Sequence, residues 1–201
     1  MLDSVLRKRI DPPVDRIAAG FVRLGVSPDT MTIAGLVIGL GAAVAIAFGQ
    51  LLPGLGLILV SRLADGLDGA IARRTRPTDL GGFLDITFDF VFYGAIPLAF
   101  ALLDPAQNAL AAAILLATFY ANGASVLAFA VMTEKRRIPE AKRAGKSLLF
   151  TTGLAEASET LIAFVLFCLF PAWFPVIAAV FAAMTAWTFV SRVWLAAKTF
   201  G

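Results

Sequence analysis

The sequence contains no histidine, and its single cysteine, Cys168, lies in an apolar run. Zinc sites built from Cys and His, histidine-dependent catalytic triads and disulfide frameworks are therefore excluded. Charged residues are also scarce, at 15% of 201 residues, whereas a typical soluble domain has about 25%. Because 59% of the residues are hydrophobic and the mean hydropathy is +0.85, polar groups cannot cover the surface. Lipid is therefore the expected solvent.

Three long stretches of the chain carry no charged residue, namely 30–61, 105–133 and 160–191. Each exceeds the roughly 20 apolar residues that cross a bilayer as a helix. Together with the turn signals between apolar runs, they predict an all-α membrane protein with six transmembrane helices. The first predicted span covers about 30–48, and the second runs from the turn at 49–54 to about 73. The third, fourth and fifth cover about 82–103, 106–132 and 147–170. The sixth runs from the turn at 171–175 to about 198.

The first 29 residues differ from the rest because charges and the Pro12-Pro13 pair interrupt them, so no signal peptide is expected there. From Pro13 onward, apolar residues recur at helical spacing, which predicts an amphipathic juxtamembrane helix. Two interpretations that do not exclude each other are a helix lying on the membrane surface and an ordinary helix packed beside the membrane. We expect a single domain over 1–201, with a juxtamembrane segment at 1–29 and a six-helix bundle at 30–198.

Basic residues are distributed unevenly among the predicted loops. The loops around Gln50, Asp104 and Trp173 contain no Lys or Arg, whereas the opposite loops and the N-terminal segment contain most of them. The positive-inside rule therefore predicts that both termini are cytoplasmic. The same rule explains the isoelectric point near 9.4 without a nucleic-acid partner.

Four aspartates lie toward the cytoplasmic ends of two predicted spans: Asp65 and Asp68 in the second, Asp85 and Asp89 in the third. An ionised side chain costs at least ~2.5–3.5 kcal/mol at the bilayer centre and less near its edge, so four of them need compensation. Spacings of three and four residues place each pair on one helix face, and the short loop predicts antiparallel neighbours. Converging carboxylates without His or Cys favour a site for hard divalent cations.

A second interpretation of the aspartates is a set of structural salt bridges with Arg62, Arg73 or Arg74. Glycines surround the acids at positions 66, 69, 81 and 82 and would let a ligand approach the backbone, although close helix packing also uses glycine. A site for a cation and a phosphate group would explain the carboxylates, the glycines and the arginines together.

The segment from Asp65 to Asp89 fits the pattern D-x-x-D-G-x-x-A-R-x7-G-x-x-x-D-x-x-x-D at all eight fixed positions. This pattern resembles the motif of the CDP-alcohol phosphotransferase family, also called CDP-alcohol phosphatidyltransferases. The Gly25-Val-Ser-Pro28 segment is also similar to the family, whereas Asp29 stands where an asparagine is usual. The resemblance implies transfer of a CDP-activated group to an alcohol, with release of CMP.

The resemblance also implies roles for the residues of the motif. Two divalent cations, Mg²⁺ or Mn²⁺, would be held by Asp65, Asp68 and Asp85, with Asp89 also near them. The nucleotide and its diphosphate would be lined by Gly66, Gly69, Arg73 and Gly81. Asp89 would be the catalytic base that removes the hydroxyl proton of the acceptor.

The acceptor alcohol would be bound by polar residues of the last three spans. The candidates are Asn122, Glu156, Glu159 and Arg192. The segment 153–159 is similar to the inositol-phosphate and glycerol-phosphate members of the family, yet Ala157 and Thr160 stand where arginines often follow the two glutamates. This difference weakens the case for a phosphorylated acceptor. The alternative is a structural network in which Arg192 pairs with the two glutamates.

These observations predict an enzyme of the bacterial inner membrane, with its active site on the cytoplasmic side, that moves a phosphatidyl group from CDP-diacylglycerol to a small polar alcohol. The resemblance further implies a homodimer. One alternative is transfer from CDP-choline or CDP-ethanolamine to diacylglycerol. Another is a divalent cation transporter, although we find no internal repeat and the acids lie near one membrane face instead of the midplane.

Overall fold

The structure is a computed structural model that describes residues 2–137, 154–155 and 157–201, and it contains no strand within these ranges. Its helices are α1 (Leu2–Arg23), α2 (Pro28–Ala47), α3 (Leu51–Arg74), α4 (Asp79–Leu103), α5 (Pro105–Lys135), α6 (Ala157–Leu169) and α7 (Phe174–Phe200), with a short 3-10 helix at Pro171–Trp173. The all-α prediction is confirmed for the described part of the chain.

Side-chain caps fix the start of two of the helices that form the site. Ser27 precedes α2, and its Oγ accepts a hydrogen bond of 3.1 Å from the backbone N–H of Thr30. Thr78 precedes α4, and its Oγ1 accepts a bond of 2.9 Å from the N–H of Gly81. Such caps satisfy backbone donors that the first turn of a helix leaves unpaired. The turn before α2 uses Gly25, whose φ of +76° suits glycine.

Among the described residues, four segments are long and apolar enough to cross a membrane: Pro28–Ala47, Asp79–Leu103, Pro105–Lys135 and Pro171–Phe200. Helix α3 falls outside this set because Arg62, Asp65 and Asp68 interrupt its apolar residues. Helix α6 has 13 described residues, and the earlier part of the predicted fifth span lies outside the described residues. The total of six spans therefore stays a prediction.

Helix α1 begins at Leu2, earlier than the start at Pro13 that the apolar spacing indicates, and it includes Pro12 and Pro13. Val14 and Ala18 are buried in one hydrophobic cluster with residues of α3 such as Leu67 and Ile71. This contact corresponds to the packed alternative for the juxtamembrane helix. A role at the membrane surface stays a prediction.

The chain divides into two units, residues 2–109 and 110–201, and α5 spans the boundary between them. In the first unit α2 packs against both α3 and α4. Small residues bring these helices close: Ser61 Oγ donates a hydrogen bond of 2.8 Å to the carbonyl of Gly35. A Cβ atom on Gly39 would lie 2.6 Å from the Phe92 ring, so only glycine fits there without a shift.

The second unit has an aromatic core. Phe167 lies 4.7 Å from Phe174, measured between ring centroids, which joins the end of α6 to the start of α7. Phe119 of α5 meets Phe181 of α7 edge-on at 5.9 Å. Each unit therefore has its own core, and the single-domain assignment stays a prediction.

Candidate active site

Three of the four aspartates of the motif, Asp65, Asp85 and Asp89, border a cleft of the first unit. Helix α2 packs against α3 and against α4, so its side chains form one wall of the space where the acids meet. The cleft is lined by Thr32, Gly35, Leu36, Arg62, Asp65, Asp85, Phe88 and Asp89. The sequence predicts convergence of α3 and α4, but the contribution of α2 is visible only in the structure.

Three of the aspartates form a cluster that suits a metal ion. Asp65, Asp68 and Asp85 each offer a carboxylate oxygen, and these oxygens all lie within 4.8 Å of one another. Asp68 is buried, Asp65 is half-buried and Asp85 is exposed, so the cluster runs from the helix interface to the open side of the cleft. Hard oxygen donors at this spacing fit Mg²⁺ or Mn²⁺.

A threonine of α2 supports the buried member of this cluster. Thr32 Oγ1 donates a hydrogen bond of 2.7 Å to Asp68 Oδ2 and also lies 3.1 Å from the carbonyl oxygen of Pro28. A hydrogen bond to a carboxylate stabilises its charged form and fixes its orientation. The sequence analysis did not single out Thr32. The available signal was its place as the last polar residue of α2 before the apolar run 33–47.

The fourth aspartate, Asp89, has a different partner. Its Oδ1 accepts a hydrogen bond of 2.7 Å from Arg62 Nη1, and the same nitrogen lies 3.5 Å from Asp65 Oδ1. The salt-bridge interpretation thus applies to Arg62. Arg73, the second arginine considered for such bridges, lies 3.9 Å from Asp15, and both of these side chains are largely exposed.

The glycines predicted to line the nucleotide site have different surroundings. A Cβ atom on Gly66 would meet open space, whereas on Gly69 it would lie 3.4 Å from Arg73 Nη1. Two predicted nucleotide-site residues, Gly69 and Arg73, are therefore neighbours. On Gly81 the added atom would lie 2.9 Å from Asp29 Oδ1, so glycine permits a close approach of α2 to α4.

The candidate acceptor residues belong to the second unit. Arg192 Nη1 donates to Asn122 Oδ1 at 2.6 Å and to Ser125 Oγ at 2.9 Å, so two predicted residues, Asn122 and Arg192, are in contact. Ser158 Oγ lies 3.1 Å from Glu159 Oε2. Glu156 lies outside the described residues, so its predicted pairing with Arg192 is not addressed.

A family model for CDP-alcohol phosphatidyltransferase matches residues 25–194. The chain belongs to the CDP-alcohol phosphatidyltransferase family and is accordingly a membrane transferase of phospholipid biosynthesis. The resemblance that the motif predicts is confirmed.

Two curated relatives extend this comparison. The inner membrane protein YnjF of Escherichia coli (strain K12) is 46% identical over 194 residues, which cover 96% of this chain and 94% of YnjF. The archaetidylinositol phosphate synthase of Methanothermobacter thermautotrophicus is 42% identical over 93 residues, which are 46% of this chain and 44% of that protein.

The fold is similar to that of the Mycobacterium tuberculosis phosphatidylinositol phosphate synthase PgsA1. The crystal structure of PgsA1 with CDP-DAG bound has a TM-score of 0.66 and 25% identity, with 92% of each chain covered. The PgsA1 complex with manganese and citrate has a TM-score of 0.65 and 24% identity, with 90% of this chain and 87% of PgsA1 covered.

Proposed function

We propose that this chain transfers the phosphatidyl group of CDP-diacylglycerol to a small polar alcohol and releases CMP. The observation that carries the proposal is the convergence of Asp65, Asp68 and Asp85 within 4.8 Å of one another, in a chain of this family. Asp65, Asp85 and Asp89 line one cleft. The solved PgsA1 complex with CDP-DAG supports this choice of donor.

Two divalent cations, Mg²⁺ or Mn²⁺, would be held by Asp65, Asp68 and Asp85, with Asp89 adjacent. When bound, they would offset the charge of the diphosphate and of the departing CMP. Gly66, Gly69, Arg73 and Gly81 would bind the nucleotide and diphosphate. The open space at Gly66 and the exposed guanidinium of Arg73 support this assignment.

Asp89 would act as the base. Its carboxylate faces a cleft whose other walls include the apolar side chains of Leu36 and Phe88. Asp89 would take the proton from the acceptor hydroxyl, and the hydroxyl oxygen would form a bond to the lipid-side phosphorus as the bond to CMP breaks. A carboxylate in hydrogen-bond reach of a hydroxyl is a suitable general base.

Asn122, Glu159 and Arg192 would bind the acceptor, together with Glu156. The contacts of Arg192 with Asn122 and Ser125 support this role, because they hold a guanidinium in one orientation. A fixed guanidinium offers donors to a hydroxyl-rich or anionic alcohol. The relatives named as archaetidylinositol phosphate synthase and phosphatidylinositol phosphate synthase make inositol phosphate one acceptor to test.

The enzyme would cross the bacterial inner membrane six times, as a homodimer with both termini and the active site on the cytoplasmic side. Helix α3 has 24 residues, and at about 1.5 Å per residue it is long enough to cross. Apart from Arg62 at its middle, the charged residues of α3 lie toward the predicted cytoplasmic end. The juxtamembrane helix would lie at that same face, and the likeness to YnjF supports the inner membrane as location.

The purified chain, reconstituted with CDP-diacylglycerol and MnCl₂, tests the proposal by CMP release. Serine, glycerol 3-phosphate, inositol and inositol phosphate would be offered separately, and we expect release with one of them. Asp89→Asn should abolish it, whereas the control Asp79→Asn, at the exposed start of α4, should not. Turnover only with CDP-choline or CDP-ethanolamine and diacylglycerol would contradict the donor. Cation uptake into vesicles without CMP release would favour a transporter.

A further inference from the structure

Arg62 is a charged residue of the cleft that lies outside the family motif. It follows 32 uncharged residues, 30–61, and precedes Asp65 by three positions, which is about one helical turn. Its side chain is only 14% exposed. A guanidinium at this depth costs free energy unless it is paired, so its contacts indicate what it does.

Those contacts hold the guanidinium in one place. Its Cζ lies 3.9 Å from the centroid of the Phe92 ring, and Phe92 is fully buried. Nη1 donates to Asp89 Oδ1 at 2.7 Å, while Nη2 lies 3.4 Å from Ser61 Oγ. Stacking on a fixed ring together with a charge-assisted hydrogen bond restricts the guanidinium more than a single ion pair would.

The guanidinium of Arg62 lies close to both Asp89 and Asp65: Nη1 is 2.7 Å from Asp89 Oδ1 and 3.5 Å from Asp65 Oδ1. The carboxylate oxygens of Asp65, Asp68 and Asp85 lie within 4.8 Å of one another, whereas Asp89 Oδ1 accepts a hydrogen bond from Arg62 Nη1. The second oxygen of Asp89 is not used in that bond, and Asp89 lines the same cleft as the metal cluster.

We propose that Arg62 is a positioning residue, which holds Asp89 apart from the metal-binding carboxylates and aims its second oxygen at the acceptor hydroxyl. This inference rests on the proposed function, in which Asp89 is the base. Without Arg62, the Asp89 carboxylate would be drawn to the bound cations as an additional ligand. Metal binding would then become tighter while proton transfer became slower.

The test compares Arg62→Gln, Arg62→Lys and the control Arg76→Gln, an exposed arginine after α3, in the full chain. Arg62→Gln should lower kcat about 10²-fold, the lower end of what a general base contributes, and change KM for CDP-diacylglycerol less than about threefold. Its affinity for MnCl₂ alone should rise several-fold. Arg62→Lys keeps the charge but loses the planar fork, so it should restore wild-type Mn²⁺ affinity and leave kcat low.

The double variant Arg62→Gln/Asp89→Asn identifies the residue through which Arg62 acts. The gain in Mn²⁺ affinity should disappear when Asp89 is already Asn, since no free carboxylate remains to join the cluster. A kcat within threefold of wild type in Arg62→Gln would overturn the positioning role and leave the proposed function intact. Parallel losses of kcat, Mn²⁺ affinity and thermal stability, restored by lysine, would show a structural role only. Absence of CMP release in the wild type would instead refute the proposed function. The joint effect of Arg62→Gln and Asp89→Asn on Mn²⁺ affinity would still test the contact between Arg62 and Asp89.

Discussion

Replacing Thr32 by valine is expected to weaken metal binding without changing the volume of the core. Thr32 is 7% exposed, and its hydroxyl donates to Asp68 Oδ2 at 2.7 Å. A hydrogen bond to a charged group contributes about 1.5–3 kcal/mol. Because about 1.4 kcal/mol corresponds to a factor of ten in a binding constant, the loss should weaken Mn²⁺ binding by about 10–100-fold, the range seen when a hydrogen-bond partner of a metal ligand is removed.

Mn²⁺ titration of the detergent-solubilised chain, followed by its thermal unfolding, measures this effect. Thr32→Ser keeps the hydroxyl and should keep most of the affinity. Thr185→Val is a matched control because Thr185 is also buried and its hydroxyl donates within its own helix, to the carbonyl of Phe181 at 2.9 Å. It should leave Mn²⁺ affinity unchanged.

Unaltered Mn²⁺ affinity in Thr32→Val would refute the reasoning, because the hydroxyl would then have no influence on Asp68. An equal loss in Thr32→Val and Thr185→Val would also refute it. That result would assign the effect to a general loss of stability.

Three further predictions concern packing, the acids and the acceptor. Gly39→Ala should lower the free energy of unfolding by about 1–3 kcal/mol, because its Cβ would overlap an aromatic ring of α4. The control Gly56→Ala, with open space around the added Cβ, should not, and thermal unfolding distinguishes the two variants. Asp65→Asn should abolish both Mn²⁺ binding and turnover. Asp89→Asn should retain binding of CDP-diacylglycerol and lower turnover about 10²-fold or more. An equal loss of CDP-diacylglycerol affinity in both variants would make Asp89 a metal ligand. Arg192→Gln should raise the acceptor KM about tenfold with donor KM unchanged, and a fall in thermal stability alone would indicate a structural network.

Much of the helical framework is predictable because uncharged runs longer than a bilayer permit few alternatives. The ends of the predicted second and third spans lie within a few residues of the ends of α3 and α4. Arg73 and Arg74 mark the end of α3, and the Thr78 cap marks the start of α4. The N-terminal helix was harder to place, since the proline pair favours a start that the structure does not use. Local propensity is a weak guide where a helix also packs against another.

The candidate site was predictable in its residue types and only in part in its pairings: a salt bridge of Arg62 with the aspartates was one alternative, whereas its choice of Asp89 and the contact of Thr32 were not foreseen. The spacing of the four aspartates on two helices indicates that they converge, and the structure brings three of them within 4.8 Å. The contacts of Thr32 with Asp68 and of Arg62 with Asp89 join residues 36 and 27 positions apart. Such contacts depend on the rotation of each helix about its axis, which close packing at Gly35 and Gly39 determines.

The most direct test of the central claim is to identify the lipid product by mass spectrometry. The purified chain in nanodiscs containing CDP-diacylglycerol, supplied with MnCl₂ and the acceptor panel, should form one new phosphatidyl ester together with an equimolar amount of CMP. EDTA and Asp65→Asn should abolish both products. Release of CMP without a new phosphatidyl ester, or undiminished turnover in EDTA, would contradict the account.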